Sequence, residues 1–126
     1  METRHLLWLF VCLVNFKARS CVQEVDRSNQ GLTSVPGDIV QDVTQLWLRY
    51  NQITTIRQTD FNDKFSNLKA IYLNGNQISF IEIGCFKGTV LQHIDLPTNE
   101  LTSIPDLHEE TGWVNELDAN TLYNCL

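Results

Sequence analysis

Aliphatic residues recur two apart along this chain in three stretches of the same shape. Val43 to Ile53 reads VTQLWLRYNQI, Leu68 to Ile78 reads LKAIYLNGNQI and Leu91 to Leu101 reads LQHIDLPTNEL. The three align without gaps on LxxLxLxxNxL, with spacings of 25 and 23 residues. Because side chains on a strand alternate between its faces, the pairs Leu46 and Leu48, Ile71 and Leu73, and Ile94 and Leu96 predict short strands with one buried face. Stacked in order, they predict a parallel sheet, with one column of aliphatic residues sealed inside and the intervening residues facing out.

After each strand the chain has to turn inward, which exposes backbone groups to the core. An Asn side chain can both donate to and accept from such groups, so Asn51, Asn76 and Asn99 are read as a structural ladder. The return segments place Phe61 and Phe86 where each can fill the far side of the coil, and Cys85 beside Phe86 reads as a small buried residue. LTSIP at residues 101–105 repeats LTSVP at 32–36, and in both the proline ends the strand side and starts an extended return.

A repeat of this form and period resembles the leucine-rich repeat. The resemblance implies a leucine-rich repeat solenoid, an α/β-type right-handed superhelix with short parallel strands on its concave face and an irregular or 3-10 convex side. Its units are assigned to residues 43–67, 68–90 and 91–111. Residues 21–42 precede them, and CVQEVDRSNQGLTSVPGDI (Cys21 to Ile39) resembles the N-terminal cap of extracellular members such as the Slit, Toll-like and lamprey variable lymphocyte receptor families. Val25, Asp26, Ser28, Asn29, Gly31, Leu32, Thr33, Val35 and Pro36 fit the cap pattern, whereas Arg27 stands where that pattern has its second Cys. In such caps the two Cys pair. Here the departure leaves Cys21 without that partner and predicts that Arg27 reaches solvent from a position that normally points inward.

The N-terminus has the layout of a secretory signal. Arg4 and His5 precede an apolar run, Leu6 to Val14, and Ala18 and Ser20 place small side chains ahead of Cys21. Residues 1–20 are therefore expected to be removed, and no later stretch approaches the ~20 apolar residues needed to cross a bilayer. At the other end residues 112–126 read as an incomplete repeat or the start of a C-terminal cap. Two registers remain open there: Val114, Leu117 and Ala119 on strand positions, or Leu117, Asn120 and Leu122 on the L, N and L sites. The stop soon after Cys125 leads to the expectation of a truncated chain, marginally stable, with apolar surface exposed beyond residue 110.

Composition narrows the partners. Hydrophobic residues at 43% and charged residues at 19% are those of a folding chain. Without residues 1–20 there remain 14 acidic and 6 basic residues, an acidic surface that repels nucleic acid and anionic lipid and steers basic protein surfaces toward it. Cys21, Cys85 and Cys125 are odd in number, which leaves Cys21 or Cys125 available for an intermolecular disulfide. No CxxC or Cys/His spacing suggests a metal site, no N-x-S/T acceptor occurs, and no cofactor is implied.

The outward residues of the strands carry the candidate chemistry. In order they include Gln23, Glu24, Asp26 and Ser28; Thr44, Gln45, Trp47, Arg49 and Tyr50; Lys69, Ala70, Tyr72 and Asn74; Gln92, His93, Asp95 and Thr98. Trp47 and Tyr72 fall side by side, flanked by Asp26 and Asp95. Trp, Tyr and Arg are the types enriched at binding hot spots, so Trp47, Arg49, Tyr50, Tyr72, Asn74, His93 and Asp95 are the candidate ligand-binding residues. Aromatic residues also simply suit strands, and Asp26 and Asp95 also fit an ordinary solvated face. His93 and Asp95 face the same way, but the repeat brings no Ser or Cys near them, and no nucleophile elbow, phosphate loop or HExxH occurs. The chain is expected to bind rather than catalyse: a secreted or cell-surface recognition module, innate-immune or guidance-like, for an extracellular protein or glycan. The alternatives are an adhesion or matrix component in which the repeats act as a stiff spacer, and a gene fragment without independent function.

Overall fold

The computed structural model describes residues 22–103. The signal segment, Cys21, Cys125, both registers proposed for residues 114–122 and the apolar surface anticipated beyond residue 110 lie outside the described residues. Within them, β1 (Glu24–Asp26), β2 (Gln45–Trp47), β4 (Ala70–Tyr72) and β6 (His93–Asp95) form one parallel sheet in that order. Their inward residues stand in register as a single column, Val25 opposite Leu46, Leu46 opposite Ile71 and Ile71 opposite Ile94. Leu46 and Ile71 are fully buried and Ile94 nearly so. Each strand thus seals its aliphatic edge against the next, which is the arrangement the repeat spacing predicts.

The ladder of Asn residues joins the turns that follow the strands. Asn76 Nδ2 donates to the carbonyls of Leu73 (2.9 Å) and Leu48 (2.9 Å), and its Oδ1 accepts the Ile53 N–H at 3.1 Å. Asn99 repeats the pattern one coil on, donating to Leu96 (2.8 Å) and Leu73 (2.9 Å) and accepting from Ile78 (2.9 Å). Asn51 does the same toward the N-terminal coil, where its Nδ2 meets the Arg27 and Leu48 carbonyls and its Oδ1 takes the N–H groups of Gln30 and Leu32. Each Asn therefore ties its own coil to the preceding one. The residue just before the corresponding position lies in the left-handed region in every turn: Asn29 (φ 58°), Tyr50 (54°), Gly75 (74°) and Thr98 (60°). Glycine meets that requirement without strain, and a β-branched Thr meets it poorly.

The return side is more regular than the sequence suggested. Within an otherwise irregular path, the chain forms a second parallel pair, β3 (Thr55–Ile56) with β5 (Phe80–Ile81), and one α-helical turn, α1 (Gln58–Phe61). The helical turn is closed from below, because the Arg57 N–H donates to Asp60 Oδ2 at 2.7 Å while the Asp60 N–H donates to the Arg57 carbonyl at 3.0 Å. Phe61 and Phe86 do fill this side, with ring centroids 5.2 Å apart, and Phe65 joins them edge-on to Phe61 at 5.9 Å. Cys85 is fully buried beside Phe86.

Arg27 continues β1 in line with Leu48, its N–H donating to the Trp47 carbonyl at 2.8 Å. Its guanidinium swings outward and pairs with Asp38 at 3.0 Å. A buried, unpaired charge would be costly, so the side chain takes the half-exposed route that the end coil leaves open. Such a surface pair contributes ~0–1 kcal/mol.

Candidate binding face

Alternation along the strands leaves two rows of side chains on the outer face of the four-stranded sheet. One row runs Glu24, Gln45, Ala70 and His93, and the next runs Asp26, Trp47, Tyr72 and Asp95, each residue opposite its neighbour in register. The strand spacing brings the Trp47 and Tyr72 rings together in a parallel stack, centroids 5.2 Å apart and planes 4° from parallel. His93 tilts against Tyr72 at 5.3 Å, and the Arg49 guanidinium carbon sits 4.6 Å from the Tyr72 ring centroid. Four of the candidate residues thus form one continuous cluster. It is half-buried and faces out from the sheet.

Electrostatics frame the cluster at both ends. Asp26 Oδ1 accepts the Ser28 N–H at 2.9 Å, and this bond, with help from the Ser28 side chain and the Arg49 charge, holds the Asp26 carboxyl below its ordinary value despite a small opposing effect of burial. Asp95 Oδ2 lies 4.0 Å from Arg49 Nη2, a loose contact between partly exposed groups. Arg49 Nε and Asn74 Oδ1 are buried without a hydrogen-bond partner among the described residues. Polar atoms in that condition each cost about 1–3 kcal/mol.

Tyr50 is not part of the cluster. It sits on the turn after β2, 59% exposed, with its ring over Gly75 of the next coil, where a Cβ would collide with it. Its place along the strand, in step with Leu46 and Leu48, already sets it off the row of Trp47, and its left-handed backbone puts it on the turn. Thr44 and Ala70, also read as outward, are buried. The Thr44 hydroxyl donates to the Gln23 carbonyl and accepts the Gln23 N–H, which closes the lower edge of the sheet.

Ala70 has a second consequence, one that the site residues chosen from sequence missed. Its methyl lies between the longer Gln45 and His93, and the shortfall opens a groove of about 340 Å³ bordered also by Lys69, Tyr72 and Gln92. The available signal was a small residue in a row of large polar ones.

Comparison with known proteins agrees with the repeat. Residues 41–101 match the family model described as Leucine rich repeat, a span that takes in β2 through β6 and leaves β1 outside. Over 79 residues the chain is 37% identical to proteins named Leucine-rich repeat-containing protein 3B from Bos taurus, Mus musculus and Homo sapiens. The similarity takes in 61% of this chain and 30% of each relative, so the chain spans less than a third of their length. Residues 41–101 are thus similar to the leucine-rich repeat, a module type that implies a protein-binding role.

Proposed function

We propose that this chain is a secreted or cell-surface recognition module that binds an extracellular protein through the outer, concave face of its sheet. In this reading the coils continue as a right-handed solenoid, residues 21–42 form an N-terminal cap of the extracellular type, and the chain binds without catalysing a reaction. Right-handed crossovers are nearly universal between parallel strands of one sheet, and repeat proteins use their concave surface for extended binding.

The observation that carries the reading is the Trp47–Tyr72 stack, ringed by Arg49 and His93 on a face where Arg49 Nε and Asn74 Oδ1 remain unpartnered. An aromatic pair held rigid by its strands loses little entropy on docking, and Trp, Tyr and Arg dominate hot spots. A spacer in an adhesion assembly would have no need of that cluster. The test is a screen of the secreted chain against an array of purified extracellular proteins. A partner captured by the native chain should bind the Trp47→Ala, Tyr72→Ala double variant some thirtyfold more weakly or worse, about 2 kcal/mol or more. Lys87→Ala, on a return segment, should leave capture intact. Equal capture by the double variant would place the interface elsewhere and favour the spacer reading.

A further inference from the structure

The groove floored by Ala70 is chemically unlike the rest of the molecule. The chain carries 15 acidic residues and a formal net charge of −6, yet no Asp or Glu lines this hollow. Val22 and Thr44 line it together with the Lys69 ammonium, the Gln45 and Gln92 amides, the His93 ring and the Tyr72 side chain. Among the described residues the Lys69, Gln45 and Gln92 side chains form no hydrogen bond or ion pair, and the His93 ring packs against Tyr72. The backbone beneath them is fixed, since Lys69 donates to the Thr44 carbonyl at 2.8 Å while Gln92 and His93 both donate to the Lys69 carbonyl, at 2.7 and 3.0 Å. Lys69 is the one formally charged group at the groove and can only donate, and the protein group complementary to it in charge and in hydrogen bonding is a carboxylate.

We infer that this groove seats a carboxylate presented by an acidic segment of the partner polypeptide, beside the aromatic cluster that takes the partner's apolar side chains. The inference rests on the protein-binding reading above and adds the chemistry of the segment recognised. About 340 Å³ accommodates one side chain or a chain terminus. A uronate or sialate sugar would offer the same carboxylate, but to add a stacked pyranose ring it would need an open aromatic face. Tyr72, the aromatic at the groove, already has Trp47 stacked on it and His93 and Arg49 packed against it. The geometry therefore favours the polypeptide source.

Retention of the secreted chain on immobilised poly-L-glutamate and on hyaluronate at low ionic strength tests this. A net-negative chain is repelled by both polymers unless a local site overcomes the repulsion. The native chain should be retained on poly-L-glutamate more tightly than on hyaluronate. Retention should fall about tenfold in Lys69→Gln, which removes an exposed charge, and also in Ala70→Leu, which fills the hollow. Because Leu at a buried position can disturb folding, Lys69→Gln carries the decision. No retention on poly-L-glutamate, retention unchanged in Lys69→Gln, or equal or tighter retention on hyaluronate would each overturn the inference. If Trp47→Ala abolishes capture of a screened partner while Lys69→Gln leaves both capture and poly-L-glutamate retention unchanged, the carboxylate site falls and the binding face stands.

Discussion

Asn76 donates to the carbonyl of Leu48, 28 positions earlier in the chain, at 2.9 Å, and by that bond the turn of one coil is fixed on the turn of the one before it. Removing it does not strip every partner equally. The Leu48 carbonyl keeps the Asn51 amide at 3.0 Å and the Leu73 carbonyl keeps the Asn99 amide at 2.9 Å, whereas the Ile53 N–H loses its acceptor. Asn76→Ala should therefore destabilise the chain by about 2–3 kcal/mol, most of it from that stranded N–H. Asn99, less buried, should cost less when replaced by Ala. Urea unfolding of the two variants gives the comparison, and a larger loss in the Asn99 variant would contradict it.

The left-handed turns make a second prediction. Thr98 has a branched side chain at φ 60°, a conformation that Asn tolerates far better. Thr98→Asn should stabilise by roughly 0.5–1 kcal/mol with no new contact. At the matching position Gly75→Ala should do the reverse by about 1–2 kcal/mol, because φ 74° disfavours a Cβ and the added carbon points into the Tyr50 ring. Thermal melts of both variants should therefore shift in opposite directions.

Coupling between Trp47 and Tyr72 is measurable without knowing any partner. A stacked pair contributes about 0.5–1.5 kcal/mol beyond the area it buries. A double-mutant cycle on unfolding free energy, with Trp47→Ala and Tyr72→Ala singly and together, should return a coupling in that range. Contacts of Tyr72 with His93 and Arg49 are lost in both arms and cancel. A coupling near zero would mean that the rings are not held together in solution, and the case for a rigid anchor would go with it.

The column Leu46, Ile71 and Ile94 and the ladder Asn51, Asn76 and Asn99 were legible in the sequence because each rests on one residue type at one repeated offset. Period-two alternation then fixed which side chains share a face, and so placed Trp47 beside Tyr72 before any coordinates. The return segments resisted the same reading. Residues 54–67 and 79–90 differ in length and composition, so nothing periodic announced β3, β5 or the helical turn at Gln58–Phe61. Tyr50 is out of step with the alternation itself: it shares the parity of Leu46 and Leu48, not of Trp47 and Arg49, and at φ 54° it lies on the turn, where strand faces no longer apply. Ala70 is outward by alternation yet too short to clear its neighbours, whereas Thr44 shares the inward parity of Leu46 and Leu48, and its hydroxyl closes on the backbone of Gln23. The groove followed from side-chain size, which a pattern of polar and apolar positions does not encode.

Asp26 gives the last prediction, a dependence on acid. Its carboxylate accepts the Ser28 N–H at 2.9 Å, and its folded-state pKa is lowered chiefly for that reason. A group whose pKa is depressed by folding contributes stability that is fully present above its unfolded pKa and is lost as the pH falls through the folded value. The native chain should therefore lose stability as the pH drops below the ordinary carboxylate range, and Asp26→Asn should flatten that part of the profile while changing nothing near neutrality beyond a constant offset. The effect should be small, since Asp26 is exposed and water screens it. Unfolding free energies of the two chains, measured across the acid limb and at pH 7, provide the check. If the difference between them is constant at every pH, the Ser28 bond does not distinguish the charged carboxyl from the neutral one.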